Sequence, residues 1–90
     1  MTEQSPLVLV VEDDRPIRES LERILGFEGY EVCSVTDGAA ALDSVSARPP
    51  DLIVLDIMLP DGDGYTWCRR LRARGDTTPV LMLTARSLED

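Results

Sequence analysis

The strongest constraint in this sequence is a pair of short apolar runs, each of which ends on acidic residues. Four consecutive apolar residues, 52–55, lead into Asp56, and the apolar run 7–11 leads into the three acids at 12–14. Continuous apolar runs of this length are typical of strands covered on both faces, as in parallel sheets. Because an acid at the end of such a strand is costly unless it is paired, hydrated or bound to metal, both positions indicate a site.

Two more segments have the composition of strands, so that four strands are predicted in all. The segment 31–35 is short and rich in β-branched residues, and the segment 79–84 is apolar up to Thr84. With the runs at 7–11 and 51–55, these segments alternate with helical patterns along the chain. Such alternation predicts an α/β fold with a parallel sheet and right-handed crossovers.

The first helical pattern follows the acids at 12–14. Pro16 suits a first helical turn, and apolar residues then recur at helical spacing at Ile17, Leu21, Ile24 and Leu25. We expect this stripe to face the core.

Further helices are predicted after the second and third strands. The first of these covers 36–47, where Thr36 or Asp37 provides the cap and the two prolines at 49–50 prevent continuation. The next covers 65–74, and its Trp67 and Leu71 lie one turn apart and are expected in the core. Residues 85–90 have the composition of the first turn of another helix.

The composition narrows the possible functions. The formal net charge is −8, and the chain contains neither lysine nor histidine. A chain this acidic is a poor binder of nucleic acid, and a metal site without histidine must consist mostly of oxygen ligands, as Mg²⁺ and Ca²⁺ prefer. Cys33 and Cys68 are expected to be reduced packing residues. Because no apolar run is long enough to span a membrane and the start lacks the pattern of a signal peptide, we expect a cytoplasmic protein without a membrane partner.

Three of the predicted strands end in polar groups that could form one site. The carboxyl ends of parallel strands share one edge of the sheet, which brings the acids after the first strand close to Asp56 and Thr84. Two carboxylates about 4 Å apart repel by roughly 4 kcal/mol at an effective dielectric near 20, and a divalent cation reverses that sign. Such a site would let Asp56 act as a nucleophile toward a phosphoryl group whose oxygen accepts from the Thr84 hydroxyl.

Simpler roles are open for each of these residues taken alone. Asp14 suits the cap of the first helix, Asp56 could be a hydrated turn residue, and a threonine such as Thr84 often ends a strand. The stretch "DGDG" at 61–64 lacks the spacing of a calcium loop and favours a tight turn with Asp63 as the next helix cap.

Three motifs resemble the receiver domain of two-component response regulators: "LVLVVEDD", "LIVLDIMLPDGDG" and "TPVLMLTA". The resemblance implies a flavodoxin-like, doubly wound parallel sheet in a receiver domain spanning 1–90, with four of the usual five strands. It also implies Mg²⁺ as the cofactor and roles for individual residues: Asp56 as the phosphoacceptor, Asp13 as a direct metal ligand, Glu12 as a ligand through water, Met58 as a carbonyl ligand, and Thr84 as the switch hydroxyl. Pro60 and Gly64 match the family's proline and glycine after the phosphoacceptor.

The sequence departs from the family pattern at its end. Receivers carry a fifth strand with a lysine at its tip, whereas this chain contains no lysine, and Arg86 lies on the wrong connection to replace it. We interpret the chain as a receiver truncated at the start of the fourth helix, which predicts poor phosphoryl labelling of the ninety-residue piece. An apolar fourth strand at the sheet edge also predicts self-association, for example as a dimer.

The expected function is a switch module rather than an enzyme. By the resemblance, a sensor histidine kinase phosphorylates Asp56 and thereby regulates a transcriptional output domain, of the winged-helix type, through which alone DNA would be contacted. The alternatives are an interaction module that is not phosphorylated and a Mg²⁺-dependent phosphohydrolase. The phosphohydrolase is disfavoured because such enzymes resemble one another in having an acid two residues after the nucleophile. In this chain, that position is Met58.

Overall fold

The computed structural model describes residues 5–83 and contains one parallel sheet with helices on both faces. Along the chain, the elements are β1 (Leu7–Val11), α1 (Arg15–Phe27), β2 (Glu31–Val35), α2 (Gly38–Ala47), β3 (Leu52–Asp56), β4 (Met58–Leu59), β5 (Gly62–Asp63), α3 (Gly64–Ala73) and β6 (Val80–Leu83). The main sheet has the order β2-β1-β3-β6, with all neighbours parallel. The predicted α/β, doubly wound architecture is therefore confirmed.

Alternate residues of the central strands face two separate clusters. Val8, Val10 and Val54 pack beneath α1, against its Leu21 and Leu25. The opposite face of the sheet, with α2 and α3, forms the larger cluster, whose buried members are Leu9, Val11, Ala41, Val45, Ile53, Leu55, Leu59, Trp67 and Leu71. Trp67 and Leu71 are buried as predicted.

The stripe of α1 is narrower than predicted. Leu21 and Leu25 contact the sheet, but Ile24 is 57% exposed, so its expected place in the core is wrong. No residue of α1 is fully buried, because α1 covers its face of the sheet alone among the described elements. A single helix on a flat sheet buries only the residues that point straight at it.

Several boundaries differ by one or two residues from the sequence expectation. β3 begins after Asp51, whose carboxylate accepts a hydrogen bond of 2.7 Å from the Leu7 amide, and ends on Asp56 itself. Asp37 rather than Thr36 caps α2, since its side chain accepts from the Ala40 amide. Thr84 and the predicted helix turn at 85–90 lie outside the described residues.

One element was not predicted. The segment after β3, expected to be a loop, contains the antiparallel hairpin β4–β5, which pairs Met58 with Asp63 and Leu59 with Gly62. Its turn consists of Pro60 and Asp61, and Gly62 follows with φ +136°, a conformation that favours glycine. The hairpin places a short paired element one residue after Asp56.

Two smaller observations concern the rest of the described chain. Cys33 and Cys68 are free thiols, half-buried against the larger cluster, as the sequence predicts. None of the helices described between residues 5 and 83 has both the length and the apolar character that crossing a membrane demands.

Candidate functional site

Three carboxylates meet at the carboxyl edge of the sheet. Glu12 and Asp13 follow β1, Asp56 ends β3, and one carboxylate oxygen from each lies within 4.8 Å of the others. β1 and β3 are hydrogen-bonded neighbours with Val11 opposite Leu55, so their ends emerge side by side. The predicted convergence of these strand ends is therefore observed for the first and third strands.

Glu12 is the buried member of this acidic cluster. It is 3% exposed, and its Oε2 accepts a hydrogen bond of 3.0 Å from the Asp14 amide. Burial raises the pKa of Glu12 from 4.5 to about 7, and the nearby carboxylates of Asp56 and Asp13 act in the same direction, whereas the Asp14 amide opposes them. At neutral pH this group is thus held close to the balance between its charged and neutral forms.

The loop that carries Glu12 and Asp13 is fixed by α1. Asp14 caps the helix, because its Oδ1 accepts from the Ile17 amide at 3.1 Å, which confirms the predicted cap. Arg18 reaches back from α1 and donates to the carbonyl oxygens of Glu12 at 3.0 Å and Asp13 at 3.4 Å. Sequence reasoning missed Arg18, whose position one turn inside the helix was its only signal.

Asp56 is half-buried and is oriented by the chain that follows it. Its Oδ1 accepts a hydrogen bond of 3.2 Å from the Met58 amide at the start of β4. The Met58 side chain is 75% exposed, so any contribution of this residue to the site comes from its backbone. The first residue of β4 therefore helps to fix the orientation of the Asp56 carboxylate.

Gly64, which matches the family's glycine after the phosphoacceptor, stands where there is no room for a side chain. Its amide donates to the Ile57 carbonyl at 2.6 Å, and a Cβ at this position would overlap the Asp56 carbonyl oxygen and lie 2.9 Å from Cε of Met82. Only glycine allows α3 to begin this close to the end of β3. Asp63 caps α3 as predicted, since its Oδ1 accepts from the Thr66 amide at 2.8 Å.

A further acid, Asp61, was not singled out by the sequence. From the hairpin turn, its two oxygens accept from the amides of Gly38 at 2.9 Å and Ala39 at 3.0 Å, at the beginning of α2. Asp61 is an exposed residue, and some loss of hydration opposes its charge. The backbone hydrogen bonds outweigh that cost, so the pKa of Asp61 is lowered. No local pattern links residues that lie 22 and 23 positions apart.

The acidic cluster fits a divalent cation. Its donors are all carboxylate oxygens, and Glu12 is almost fully buried. Within residues 5–83, no arginine forms an ion pair with these carboxylates, because Arg18 contacts the backbone carbonyls of Glu12 and Asp13. Hard cations such as Mg²⁺ prefer oxygen donors and bind through one or two carboxylates together with water and phosphate oxygens. Burial and, to a smaller extent, the neighbouring carboxylates of Asp56 and Asp13 raise the pKa of Glu12, so a bound cation would favour its charged form.

Comparisons with known proteins agree on one family. The family model "Response regulator receiver domain" matches residues 8–90. The response regulator MprA of Mycobacterium avium is 53% identical over 79 residues, which cover 88% of this chain and 35% of that protein. The chain thus spans about a third of the length of this relative.

Solved structures share the fold over most of the chain. The receiver domain of the Francisella response regulator 1452 matches with a TM-score of 0.86 and 33% identity, covering 90% of this chain and 67% of that one. The MaeR response regulator bound to beryllium trifluoride matches with a TM-score of 0.83 and 30% identity, covering 89% and 67%. Sequence motifs, sheet order and acidic edge all agree with these matches: the chain belongs to the response regulator receiver domain family.

Proposed function

We propose that the chain is a phosphoacceptor switch in which Asp56 receives a phosphoryl group from a sensor histidine kinase. The observation that carries this proposal is the cluster of Glu12, Asp13 and Asp56 at one edge of the sheet, within 4.8 Å of one another. An Asp56 carboxylate oxygen attacks phosphorus, and the bond from phosphorus to the kinase histidine nitrogen breaks, which leaves an acyl phosphate on Asp56. The electron pair of the broken bond stays on the histidine nitrogen, which takes up a proton from water.

Mg²⁺ would be held by Asp13 and Asp56, by Glu12 through water, and by the carbonyl of Met58. When bound, it neutralises the carboxylates and the charge on the phosphoryl oxygens. The chain's own contribution is orientation, since Arg18 fixes the loop that carries Asp13, and the Met58 amide fixes the Asp56 carboxylate. Thr84, which lies outside the described residues, is proposed as the switch hydroxyl by its match to the family motif.

The partners of the whole protein follow from the same family. Receiver domains of response regulators work in two-component signalling, and the longer relative of the MprA type supports an output domain beyond the part matched here. We propose a histidine kinase as the donor and a transcriptional output domain as the regulated element. The phosphohydrolase alternative has no support at Met58, where the side chain is apolar and exposed.

The metal site is tested by calorimetric titration of the chain, first with Mg²⁺ and then with beryllium fluoride, which mimics the phosphoryl group. We expect the wild-type chain to bind Mg²⁺ and to bind beryllium fluoride only in its presence. Asp13→Asn should abolish the response to Mg²⁺, and Asp56→Asn the response to beryllium fluoride. Asp14→Asn is the matched control, because asparagine caps a helix as well as aspartate does. Equal responses from Asp13→Asn and Asp14→Asn would exclude the proposed metal site.

We also propose that this chain self-associates through β6. Among residues 5–83, β6 pairs with β3 alone, and Leu81 is 55% exposed in a strand without charged residues. Apolar edge strands of this kind pair with other chains. Light scattering behind a sizing column should show a dimer or a larger species, and Leu81→Arg should shift it toward the monomer. A monodisperse wild-type monomer at high micromolar concentration would contradict the proposal.

A further inference from the structure

Asp61 joins two parts of the chain that are distant in sequence. It lies in the two-residue turn of the β4–β5 hairpin, and each of its carboxylate oxygens accepts from a different amide of the first turn of α2, those of Gly38 and Ala39. Asp37 accepts from the next amide, that of Ala40, at 2.7 Å. The first turn of α2 is thus satisfied by two acids, of which only Asp61 belongs to the hairpin.

The hairpin and α2 are also held together by close packing around Trp67. A Cβ at Gly38 would overlap the indole ring, and a Cβ at Gly62 would lie 3.2 Å from its Nε1. The helix and the hairpin therefore both lie against the same buried ring. The hydrogen bonds between Asp61 and the amides of Gly38 and Ala39 then fix the position of the hairpin turn relative to the beginning of α2.

The other end of the same hairpin touches the phosphoacceptor. β4 begins at Met58, whose amide donates to Asp56, and Met58 pairs with Asp63 across the hairpin. Because each strand of the hairpin has only two residues, a shift of the turn moves Met58 as well. A continuous chain of contacts thus leads from α2 through Asp61 and β4 to the Asp56 carboxylate.

We infer that Asp61 is a positioning residue for the phosphoacceptor, which ties the hairpin turn to α2 and so holds the Met58 amide against Asp56. The inference rests on the proposed function for its consequence in ligand binding. Its structural part, the link from Asp61 to Met58, holds in the free chain.

The experiment compares Asp61→Ala with Asp37→Ala. Both changes remove an acid and its hydrogen bonds from the beginning of α2, so a role in capping alone would affect both variants alike. We expect Asp61→Ala to weaken Mg²⁺-dependent binding of beryllium fluoride about tenfold, as loss of a group that orients a metal ligand typically does. Asp37→Ala should bind as the wild type does, and Asp61→Asn, which keeps one acceptor oxygen, should fall between Asp61→Ala and the wild type.

A second readout uses the chain without ligands. In ¹⁵N-labelled protein, we expect the amide resonance of Met58 to shift in Asp61→Ala and to stay in place in Asp37→Ala. An unmoved Met58 resonance in Asp61→Ala, or equal losses of binding in the two alanine variants, would overturn the inference. A wild-type chain that binds neither Mg²⁺ nor beryllium fluoride would instead overturn the proposed function, and with it the role of Asp61 in that function.

Discussion

Gly64→Ala should destabilise the fold by about 3 kcal/mol, at the upper end of what an added methyl group costs in a packed site. The new Cβ would overlap the Asp56 carbonyl oxygen, lie 2.9 Å from Met82 Cε and lie 3.1 Å from Ile57 Cα. Two of these three neighbours are backbone atoms, which cannot move aside as a flexible side chain can. Relief of the overlap requires α3 and the end of β3 to separate, which also displaces Asp56.

Urea unfolding measures this effect, and Trp67, the single tryptophan, is buried and reports it by fluorescence. Gly26→Ala is the matched control, because nothing lies within 4 Å of a Cβ at Gly26 inside α1. Gly26→Ala should raise the free energy of unfolding by about 0.5–1 kcal/mol, because alanine is typically more stable than glycine inside a helix by that amount. If Gly64→Ala were as stable as Gly26→Ala, the close approach of α3 to Asp56 would be wrong.

Stability should fall between pH 5 and pH 8 because of Glu12. Its pKa is raised from 4.5 to about 7 in the folded chain, so folding favours the protonated form. The contribution of Glu12 to the free energy of unfolding is fully present below pH 4.5 and is lost as the pH rises through 7. The shift corresponds to about 3 kcal/mol at 1.36 kcal/mol for each pKa unit.

Glu12→Gln should remove most of this pH dependence and should be more stable than the wild type at pH 8. The comparison is restricted to pH 5 and above because Glu19, Asp61, Asp63 and Asp76 have lowered pKa values. The stability that these four groups contribute is lost mainly in more acidic solution. Urea unfolding at pH 5, 6, 7 and 8 provides the measurement. Glu28→Gln, at the exposed end of α1, is the control that should follow the wild type. Parallel curves for the wild type and Glu12→Gln would contradict the expectation.

The sheet and its acidic edge could be predicted because their signals are local. A buried parallel strand requires an unbroken apolar run, and the acids that end the runs at 7–11 and 52–55 are adjacent to them in sequence. Parallel pairing then brings Glu12 and Asp56 together without any further information. The caps of α1 and α3, Asp14 and Asp63, were predictable for the same reason.

The features that sequence reasoning missed depend on contacts between distant residues. Two-residue strands such as β4 and β5 are too short to show an alternating pattern, and the hydrogen bonds from Asp61 to α2 span more than twenty residues. Ile24 has the right spacing for the core, but its exposure depends on how much of the sheet α1 covers. The raised pKa of Glu12 likewise depends on its depth at the sheet edge, which no sequence pattern encodes.

Identification of the residue that carries a phosphoryl group is the most direct test of the proposed function. The chain is incubated with a small phosphodonor such as acetyl phosphate, with and without Mg²⁺, and its peptides are analysed by mass spectrometry. We expect a single phosphoryl group on Asp56, which depends on Mg²⁺ and is absent from Asp56→Asn. Labelling should be slow because this chain contains no lysine, the residue that receivers carry at the tip of the fifth strand. Labelling of another residue, labelling that persists in Asp56→Asn, labelling without Mg²⁺, or an Asp56 that stays unlabelled at saturating donor would contradict the proposal.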